Sequence, residues 1–193
     1  MQALLRLWRS LLKIFDDPNY IGTLEKKKAI SVVDACFLFS AIWSICITIS
    51  SDQRRKFDMH MKKVCDGGYE GVKKFANKKL LPSIFDKGLI YDYVYFPQED
   101  NWRPWLDLTD RDNVDNFPRD AVSQDIVVTT VDTIRYSYIQ EHCIQHEIPT
   151  LFCGPTGTGK SKYVQDVLLS KLPREKFNVL EIGFSAQTGC NQV

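Results

Sequence analysis

Apolar positions in the first third of the chain recur at helical spacing. Over residues 1–15 the leucines and a tryptophan return every three or four positions, which predicts an amphipathic helix docked on a core. Residues 29–49 are apolar at 16 of 21 positions, so this stretch predicts a buried helix. A further helix is expected over residues 52–65, with Asp52 as its N-cap.

The pattern changes near residue 84. Residues 89–96 are rich in aromatic and β-branched side chains, which predicts a strand, and residues 102–108 can return beside it as the second strand of a hairpin. Residues 109–121 contain four aspartates, two asparagines and a proline. This composition indicates a linker, so a boundary is expected there.

The last third of the chain alternates short apolar runs with helical patterns. Strands are expected at residues 126–128, 150–153 and 179–184. Helices are expected over residues 133–146, capped by Thr130 or Asp132, and from Lys160 to about Leu172. The order strand, loop, helix, strand is one βαβ unit, for which a right-handed crossover is expected.

The stretch at 29–49 is also long enough to span a bilayer. Asp34 lies within it, and a carboxylate near mid-span costs about 2.5–3.5 kcal/mol on insertion scales. A buried core helix is therefore favoured over a transmembrane one. For residues 1–15 the alternative is a membrane-surface helix; a signal peptide is not expected, because no small-residue cleavage site follows.

Composition and charge exclude several classes of protein. Apolar residues make up 44% of the chain and charged residues 25%, which is ordinary for a globular protein. The net charge of +1 argues against a dedicated nucleic-acid binder. Residues 1–96 are net basic, residues 97–148 net acidic and residues 149–193 slightly basic, a block pattern that indicates separate modules.

Cysteine and histidine spacing gives no metal site. The six cysteines form no CxxC pair and are expected to be buried free thiols in a reducing compartment. They are Cys36, Cys46, Cys65, Cys143, Cys153 and Cys190. His142 and His146 stand one helical turn apart and are expected to be partly exposed helix residues rather than metal ligands.

The strongest chemical signal is the sequence GPTGTGKS at residues 154–161, which matches the Walker A pattern. Its three glycines permit backbone angles that a β-carbon forbids, so its N–H groups can wrap a phosphate at a helix N-terminus. Lys160 is expected to reach the β- and γ-phosphates, and Ser161 to bind Mg²⁺. The candidate nucleotide-binding residues are Gly154, Pro155, Thr156, Gly157, Thr158, Gly159, Lys160 and Ser161.

The residues around this loop resemble the third AAA+ module of dynein heavy chains, closer to the axonemal than to the cytoplasmic type. The resemblance rests on VVTTVDTIRY at 127–136, LFCGPTGTGKS at 151–161 and FSAQT at 184–188. Upstream, FLFSAIWS at 37–44 and RRKFD at 54–58 resemble the helical end of the second module. The segment with Trp102 and Trp105 resembles the hairpin that follows the second module in this family.

The resemblance implies an α/β fold: a helical lid-like region with a β-hairpin, then the first part of a P-loop AAA+ αβα domain. The implied division is residues 1–108, an acidic linker at 109–125, and residues 126–193. It places the 29–49 helix in a soluble lid, which removes the membrane interpretation. It also places Val127, Val128 and Thr129 near the adenine of ATP or ADP.

At the level of the whole protein, the resemblance implies a minus-end-directed microtubule motor of cilia and flagella. Its partners would be the other AAA+ modules of a ring, the dynein intermediate and light chains, and microtubules, with neither nucleic acid nor membrane among them. Its location would be the cytoplasm, the cytoskeleton and the axoneme.

The chain departs from the family pattern after the loop. No apolar strand ending in Asp-Glu, the Walker B pattern, occurs after Ser161, so no catalytic residue is assigned. The chain is expected to be a fragment or short isoform that binds nucleotide without hydrolysing it. The alternatives are a standalone P-loop phosphotransferase, and a non-enzymatic interaction or membrane-associated protein with a vestigial loop.

Overall fold

A computed structural model describes residues 1–22, 24–70, 87–108 and 130–184 of the chain. Within these ranges the α-helices and strands are α1 (Gln2–Leu12), α2 (Pro18–Gly22), α3 (Lys26–Ser44), α4 (Arg54–Cys65), β1 (Tyr93–Phe96), β2 (Asn101–Pro104), α5 (Val131–Gln145) and α6 (Lys160–Asp166). Single 3-10 turns lie at Lys13–Asp16, Cys46–Thr48, Ile90–Asp92 and Trp105–Leu108, and a π-helical turn at Val167–Lys171.

Helix α1 is amphipathic, as predicted. Leu4, Leu7 and Leu11 are buried on one face, whereas Arg6 and Arg9 are exposed on the other. Since residues three and four apart share a helix face, this spacing packs α1 along α3. The helix tightens into a 3-10 turn and stops before α2, which begins at a proline.

Helix α3 is the buried helix predicted from residues 29–49, although its α-helical part ends at Ser44. Val32, Cys36 and Ile42 are completely buried. The hydroxyl of Ser44 donates to the carbonyl of Ser40 (2.5 Å). Ser40 makes the same bond to the Cys36 carbonyl (2.7 Å) without ending the helix, so the change to a 3-10 turn is attributed to the β-branched residues that follow, which are weak helix formers.

By length and composition, α3 with its following 3-10 turn is one helical stretch in the described residues that could cross a membrane. More than half of the residues in its most apolar 18-residue window are buried inside the chain. Asp34 lies on it half-buried, and burial raises the pKa of its carboxyl group.

The predicted hairpin is confirmed with shorter strands. β1 and β2 pair antiparallel, with Phe96 opposite Asn101 across the four-residue turn Pro97–Asp100. The first strand begins later than predicted because residues 90–92 form a 3-10 turn, and the second ends at Pro104, which has no N–H to donate to a ladder.

An aromatic layer joins the hairpin to α3. Trp102 lies 6.2 Å from Phe39 between ring centroids, and Trp105 meets Trp43 edge-on at 5.3 Å. Tyr95 packs on Trp102 at 5.1 Å. Because large aromatic side chains bury the most apolar surface, this layer forms the centre of the core.

The hairpin turn is tied to α3 by one carboxylate. Asp100 adopts a left-handed backbone (φ 49°), which aspartate tolerates better than most residues. Its Oδ1 accepts hydrogen bonds from the hydroxyls of Tyr95 (2.8 Å) and Ser31 (3.3 Å). Burial and this hydrogen bond raise the pKa of Tyr95, and burial beside Asp100 raises the pKa of Cys36 to about 12.

Helix α4 begins two residues later than predicted, and Asp52 is not its N-cap. The cap position is Gln53, without a side-chain capping bond, and the carboxylate of Asp52 instead accepts from the Gln53 amide (2.9 Å). Asp58 of α4 is buried, where it accepts from the backbone N–H of Ile90 (2.8 Å) and pairs with Lys62 (2.8 Å). The bond from Ile90 attaches α4 to the entrance of the hairpin.

The strands predicted at 150–153 and 179–184 are wrong for the described residues, where both segments are irregular and pair with no strand. The third predicted strand, at 126–128, lies outside the described residues. A strand is stabilised by hydrogen bonds to a neighbour, so an apolar run without one remains exposed. Leu151 and Leu180 are accordingly 86% and 83% exposed.

The expectation that all the cysteines are buried is wrong for Cys153. Cys36, Cys46, Cys65 and Cys143 are buried free thiols, as expected. Cys153 is also free but is exposed, because the segment that carries it is not covered by a sheet. Cys190 lies outside the described residues.

Helix α5 begins where the sequence predicts a cap. The Thr130 hydroxyl accepts from the N–H of Thr133 (3.1 Å), and the Thr133 hydroxyl accepts from the N–H of Thr130 (3.3 Å). The helix ends with Glu147 in the left-handed region (φ 56°) and the Ile148 N–H bonded to the Cys143 carbonyl (2.8 Å). This arrangement is a Schellman motif and turns the chain toward the glycine loop.

Replacement of Asp100 tests how much of the fold depends on this turn. Asp100→Ala leaves the buried Tyr95 hydroxyl without its acceptor and places alanine in a left-handed conformation, so a loss of about 2–4 kcal/mol is expected. Asp100→Asn keeps an acceptor and tolerates the backbone, so it should cost less than half as much. Urea unfolding measures both, and equal losses for the two variants would contradict this assignment.

Candidate functional site

Two glycines give the loop at 154–161 its shape. Gly157 (φ 80°) and Gly159 (φ 76°) both adopt the left-handed conformation that side chains disfavour. Gly154 does not, which corrects the expectation that all three glycines are needed for their angles. A β-carbon at Gly154 would lie 3.6 Å from Cδ of Lys160, an ordinary contact.

Lys160 reaches back across this loop from the first position of α6. Its Nζ donates to the carbonyl of Pro155 (2.5 Å) and to Oγ1 of Thr158 (3.2 Å). The Thr158 hydroxyl in turn donates to the same carbonyl (2.9 Å). The ammonium group is therefore held at the loop, where an incoming anion would meet it.

The start of α6 supplies further donors. The first hydrogen bond that closes this helix runs from the N–H of Tyr163 to the carbonyl of Gly159 (3.0 Å). The N–H groups of Lys160 and Ser161 come before it, so the helix ladder does not use them. Ser161 is exposed beside them. Loop and helix start together supply donors of the kind that bind a phosphate.

Aromatic contacts support the loop from α5. The ring of Tyr163 packs so closely on Gly159 that a β-carbon there would lie 3.3 Å from Cζ of the tyrosine. Tyr136 of α5 lies 6.4 Å from Tyr163 and, edge-on, 6.4 Å from Phe152, measured between ring centroids. The helix predicted from 160 to 172 is confirmed at its start, but it becomes π-helical at Val167, which is fully buried.

Besides supporting the loop, α5 also contacts the hairpin. The guanidinium of Arg135 binds Asp92 (2.6 Å) in the turn before β1 and Asp132 (3.0 Å) on its own helix. Tyr138 packs edge-on against Trp105 (5.4 Å) and Phe96 (6.2 Å). Burial raises the pKa of Tyr138. These contacts join the segment before the loop to the core around α3.

A third contact joins α5 to α1. The Ser10 hydroxyl donates to the carbonyl of Leu7 (2.7 Å), so Nε2 of His142 acts as the donor to Ser10 Oγ (2.9 Å). Burial, together with His146 and Lys13 nearby, lowers the pKa of His142 to about 4. The imidazole is therefore neutral at pH 7 and serves as a hydrogen-bond donor between the two helices.

Comparison with known families divides the chain into two matched regions. Residues 1–107 match the family described as the dynein heavy chain AAA lid domain. Residues 115–193 match the family described as the P-loop containing dynein motor region. The chain belongs to the dynein heavy chain family.

Curated dynein relatives agree with this family. The chain is 41% identical to dynein axonemal heavy chain 12 of Rattus norvegicus over 82% of its length and 33% identical to dynein axonemal heavy chain 3 of Mus musculus over 98%. It is 30% identical to dynein axonemal heavy chain 2 of Homo sapiens over 91% of its length. The chain spans only about 5% of the length of these relatives. No solved structure matches it.

The family matches confirm the resemblance and the predicted fold class. The mostly helical region with its two-stranded hairpin corresponds to the dynein lid, and the region with the glycine loop corresponds to the start of the P-loop domain. The correction is local: the strands on either side of the loop, at 150–153 and 179–184, are not formed in the described residues.

The eight candidate residues of the dynein P-loop all lie in the described part of the chain, in one continuous loop and helix start. Val127, Val128 and Thr129, predicted near the adenine, lie outside it. No group of three or more possible metal-ligating side chains occurs within the described ranges. His142 and His146 are partly exposed, as expected, with ring centroids 4.5 Å apart.

Sequence reasoning missed the residues that support the loop. Tyr163 stands four positions after Gly159, the spacing at which a helical side chain covers the preceding turn, so this contact could have been found. The helical spacing of Asp132 and Arg135 also predicts an ion pair. Nothing local in the sequence signals the longer-range bond from Arg135 to Asp92.

A pair of substitutions separates the roles of the two end glycines. Gly159→Ala forces a left-handed alanine against Tyr163, whereas Gly154→Ala adds a methyl group at an ordinary contact distance. We expect amide hydrogen exchange in α6 to become faster in Gly159→Ala, since its first turn is strained by about 1–2 kcal/mol. Exchange in Gly154→Ala should match the unsubstituted chain; faster exchange in both variants would be evidence against this distinction.

Proposed function

We propose that the loop at 154–161 binds the phosphates of ATP or ADP together with Mg²⁺. The observation that carries the proposal is the shape of the loop: two left-handed glycines precede a helix start whose lysine already points back across the loop. The positive ammonium and the N–H groups at the helix start suit a negatively charged phosphate chain. The exposed Ser161 hydroxyl is available to a metal ion that the phosphates bring with them.

On binding, a phosphate replaces the neutral partners of Lys160. Its ammonium now bonds the carbonyl of Pro155 and the hydroxyl of Thr158. A charged phosphate oxygen is the stronger acceptor, so exchange of these partners favours the bound state. Bound nucleotide would bring phosphate charge for Mg²⁺ to neutralise, while Val127, Val128 and Thr129 would line the adenine side.

The proposal extends to the organisation of the chain. Residues 1–108 would form the lid end of one AAA+ module, residues 109–125 an acidic linker, and residues 126–193 the start of the next module. The bounds of the two matched families, which leave residues 108–114 between them, support this division.

The cellular role follows the axonemal relatives. We infer that the chain acts within a minus-end-directed microtubule motor of the ciliary or flagellar axoneme, in the cytoskeleton. The remaining AAA+ modules of the ring, the dynein intermediate and light chains and microtubules would be its partners. The similarity to three different axonemal heavy chains, each matched over most of this chain, supports this role.

Removal of the loop lysine tests nucleotide binding directly. Lys160→Ala loses charge-assisted hydrogen bonds worth about 1.5–3 kcal/mol each, so the Kd for ATP should rise about 10–150-fold. Titration calorimetry with Mg²⁺ and ATP gives the measurement. Lys162→Ala, with the same change in charge two residues further along α6, is the matched control and should bind as the unsubstituted chain does. An unchanged Kd in Lys160→Ala would exclude the loop as the site.

Hydrolysis by the 193-residue polypeptide is not expected. Phosphoryl transfer depends on positioning and on charge stabilisation, and an arginine finger alone is worth about 10³–10⁵ in rate. After Ser161 this sequence offers no apolar strand ending in acidic residues to complete the metal shell. Phosphate release by the purified chain should equal that of Lys160→Ala. Turnover above roughly one per second, absent from the Lys160→Ala control, would favour the standalone phosphotransferase instead.

A further inference from the structure

Arg135 is held almost completely inside the contact between α5 and the hairpin. Its side chain is 12% exposed, and its two terminal nitrogens bind different carboxylates. One belongs to Asp132 on the same helix; the other belongs to Asp92, whose second oxygen accepts from the N–H of Leu89 (2.9 Å). The pair with Asp132 holds the planar guanidinium on its own helix, and the pair with Asp92 then restrains the distance and the orientation between helix and hairpin.

The next residue along α5 faces the glycine loop. Tyr136 contacts Tyr163, and Tyr163 packs on Gly159, the residue immediately before Lys160. Adjacent residues of one rigid helix therefore bind the lid on one side and support the loop on the other. A displacement of α5 relative to the hairpin moves the tyrosine contact and with it the helix start that carries Lys160.

We propose that Arg135 is a positioning residue for the nucleotide loop, acting through its salt bridge to Asp92. The inference rests on the proposed function, because its main consequence is a change in nucleotide affinity. Its physical content is an energetic coupling between the lid hairpin and the P-loop through a short series of packed groups. Arg135 itself does not touch the nucleotide.

The test is a double-mutant cycle on nucleotide binding by the full chain. Arg135→Met keeps the unbranched stem and removes the charge, and Asp92→Asn keeps an acceptor for the Leu89 N–H. Each is expected to raise the Kd for ATP with Mg²⁺ about three- to tenfold. The double variant should be no weaker than the weaker single variant, and Arg135→Lys should recover part of the affinity. Independent, multiplying effects would overturn the proposal.

The matched control is Arg103, which lies on the hairpin that Arg135 contacts. Arg103 forms an exposed ion pair with Glu99, with both side chains nearly half exposed, and its guanidinium lies over the ring of Phe96. Arg103→Met removes the same charge and keeps the same stem. Because exposed pairs contribute little, the Kd for ATP should not change. A rise equal to that of Arg135→Met would overturn the proposal, since any loss of positive charge would then suffice.

A second measurement needs no nucleotide. In Arg135→Met, amide hydrogen exchange should become faster in α6 while exchange in α3 stays as in the unsubstituted chain. Equal acceleration in α3 and α6 would mean general destabilisation and would overturn the positioning role. If the unsubstituted chain binds no ATP, the proposed function fails, and selective acceleration of α6 still decides whether Arg135 positions the loop.

Discussion

The burial of one face of α3 against the hairpin is the interaction on which the rest of the described structure depends. Phe39 and Trp43 of the helix meet Trp102 and Trp105 of the hairpin, and all four are nearly or completely buried. Aromatic pairs of this kind add about 0.5–1.5 kcal/mol each to the large area they remove from water. Helices α1 and α4 then cover the surfaces that this central contact leaves open, because their own apolar faces are also stabilised by removal from water.

Polar groups fix the orientation of this apolar core. Packing between apolar surfaces has little directionality, whereas a hydrogen bond requires defined partners at a defined distance. Asp58 holds the backbone of the hairpin entrance, and Asp100 holds its turn. Both carboxylates lie at places where a helix meets the hairpin. The lid is thus assembled by aromatic burial and held in register by a few acidic side chains.

Features decided by neighbouring residues could be predicted from the sequence. The periodicity of α1, the apolar length of α3 and the cap at Thr130 depend on side chains a few positions apart. The candidate loop was likewise predictable, because a phosphate cradle needs glycine, lysine and serine in one short run. Even here, details escaped: Gly154 does not use a left-handed angle, and Asp52 bonds Gln53 instead of starting a helix.

Features decided by distant partners could not be predicted in this way. The apolar runs at 150–153 and 179–184 have the composition of strands, but a strand also requires an adjacent backbone to bond, and none pairs with them in the described residues. The exposure of Cys153 follows from the same missing neighbour. The bond from Arg135 to Asp92 spans 43 positions, and neither residue carries a local mark of its partner.

The place of Trp105 has an optical consequence. Its indole is completely buried, with Trp43 of α3 on one side and Tyr138 of α5 on another. Indole emission depends on the polarity and the quenching groups around the ring. Any opening between α5 and the lid that separates Tyr138 from Trp105 would admit water to this indole. The chain therefore carries its own spectroscopic reporter at the junction between its two family-matched regions, without any added label.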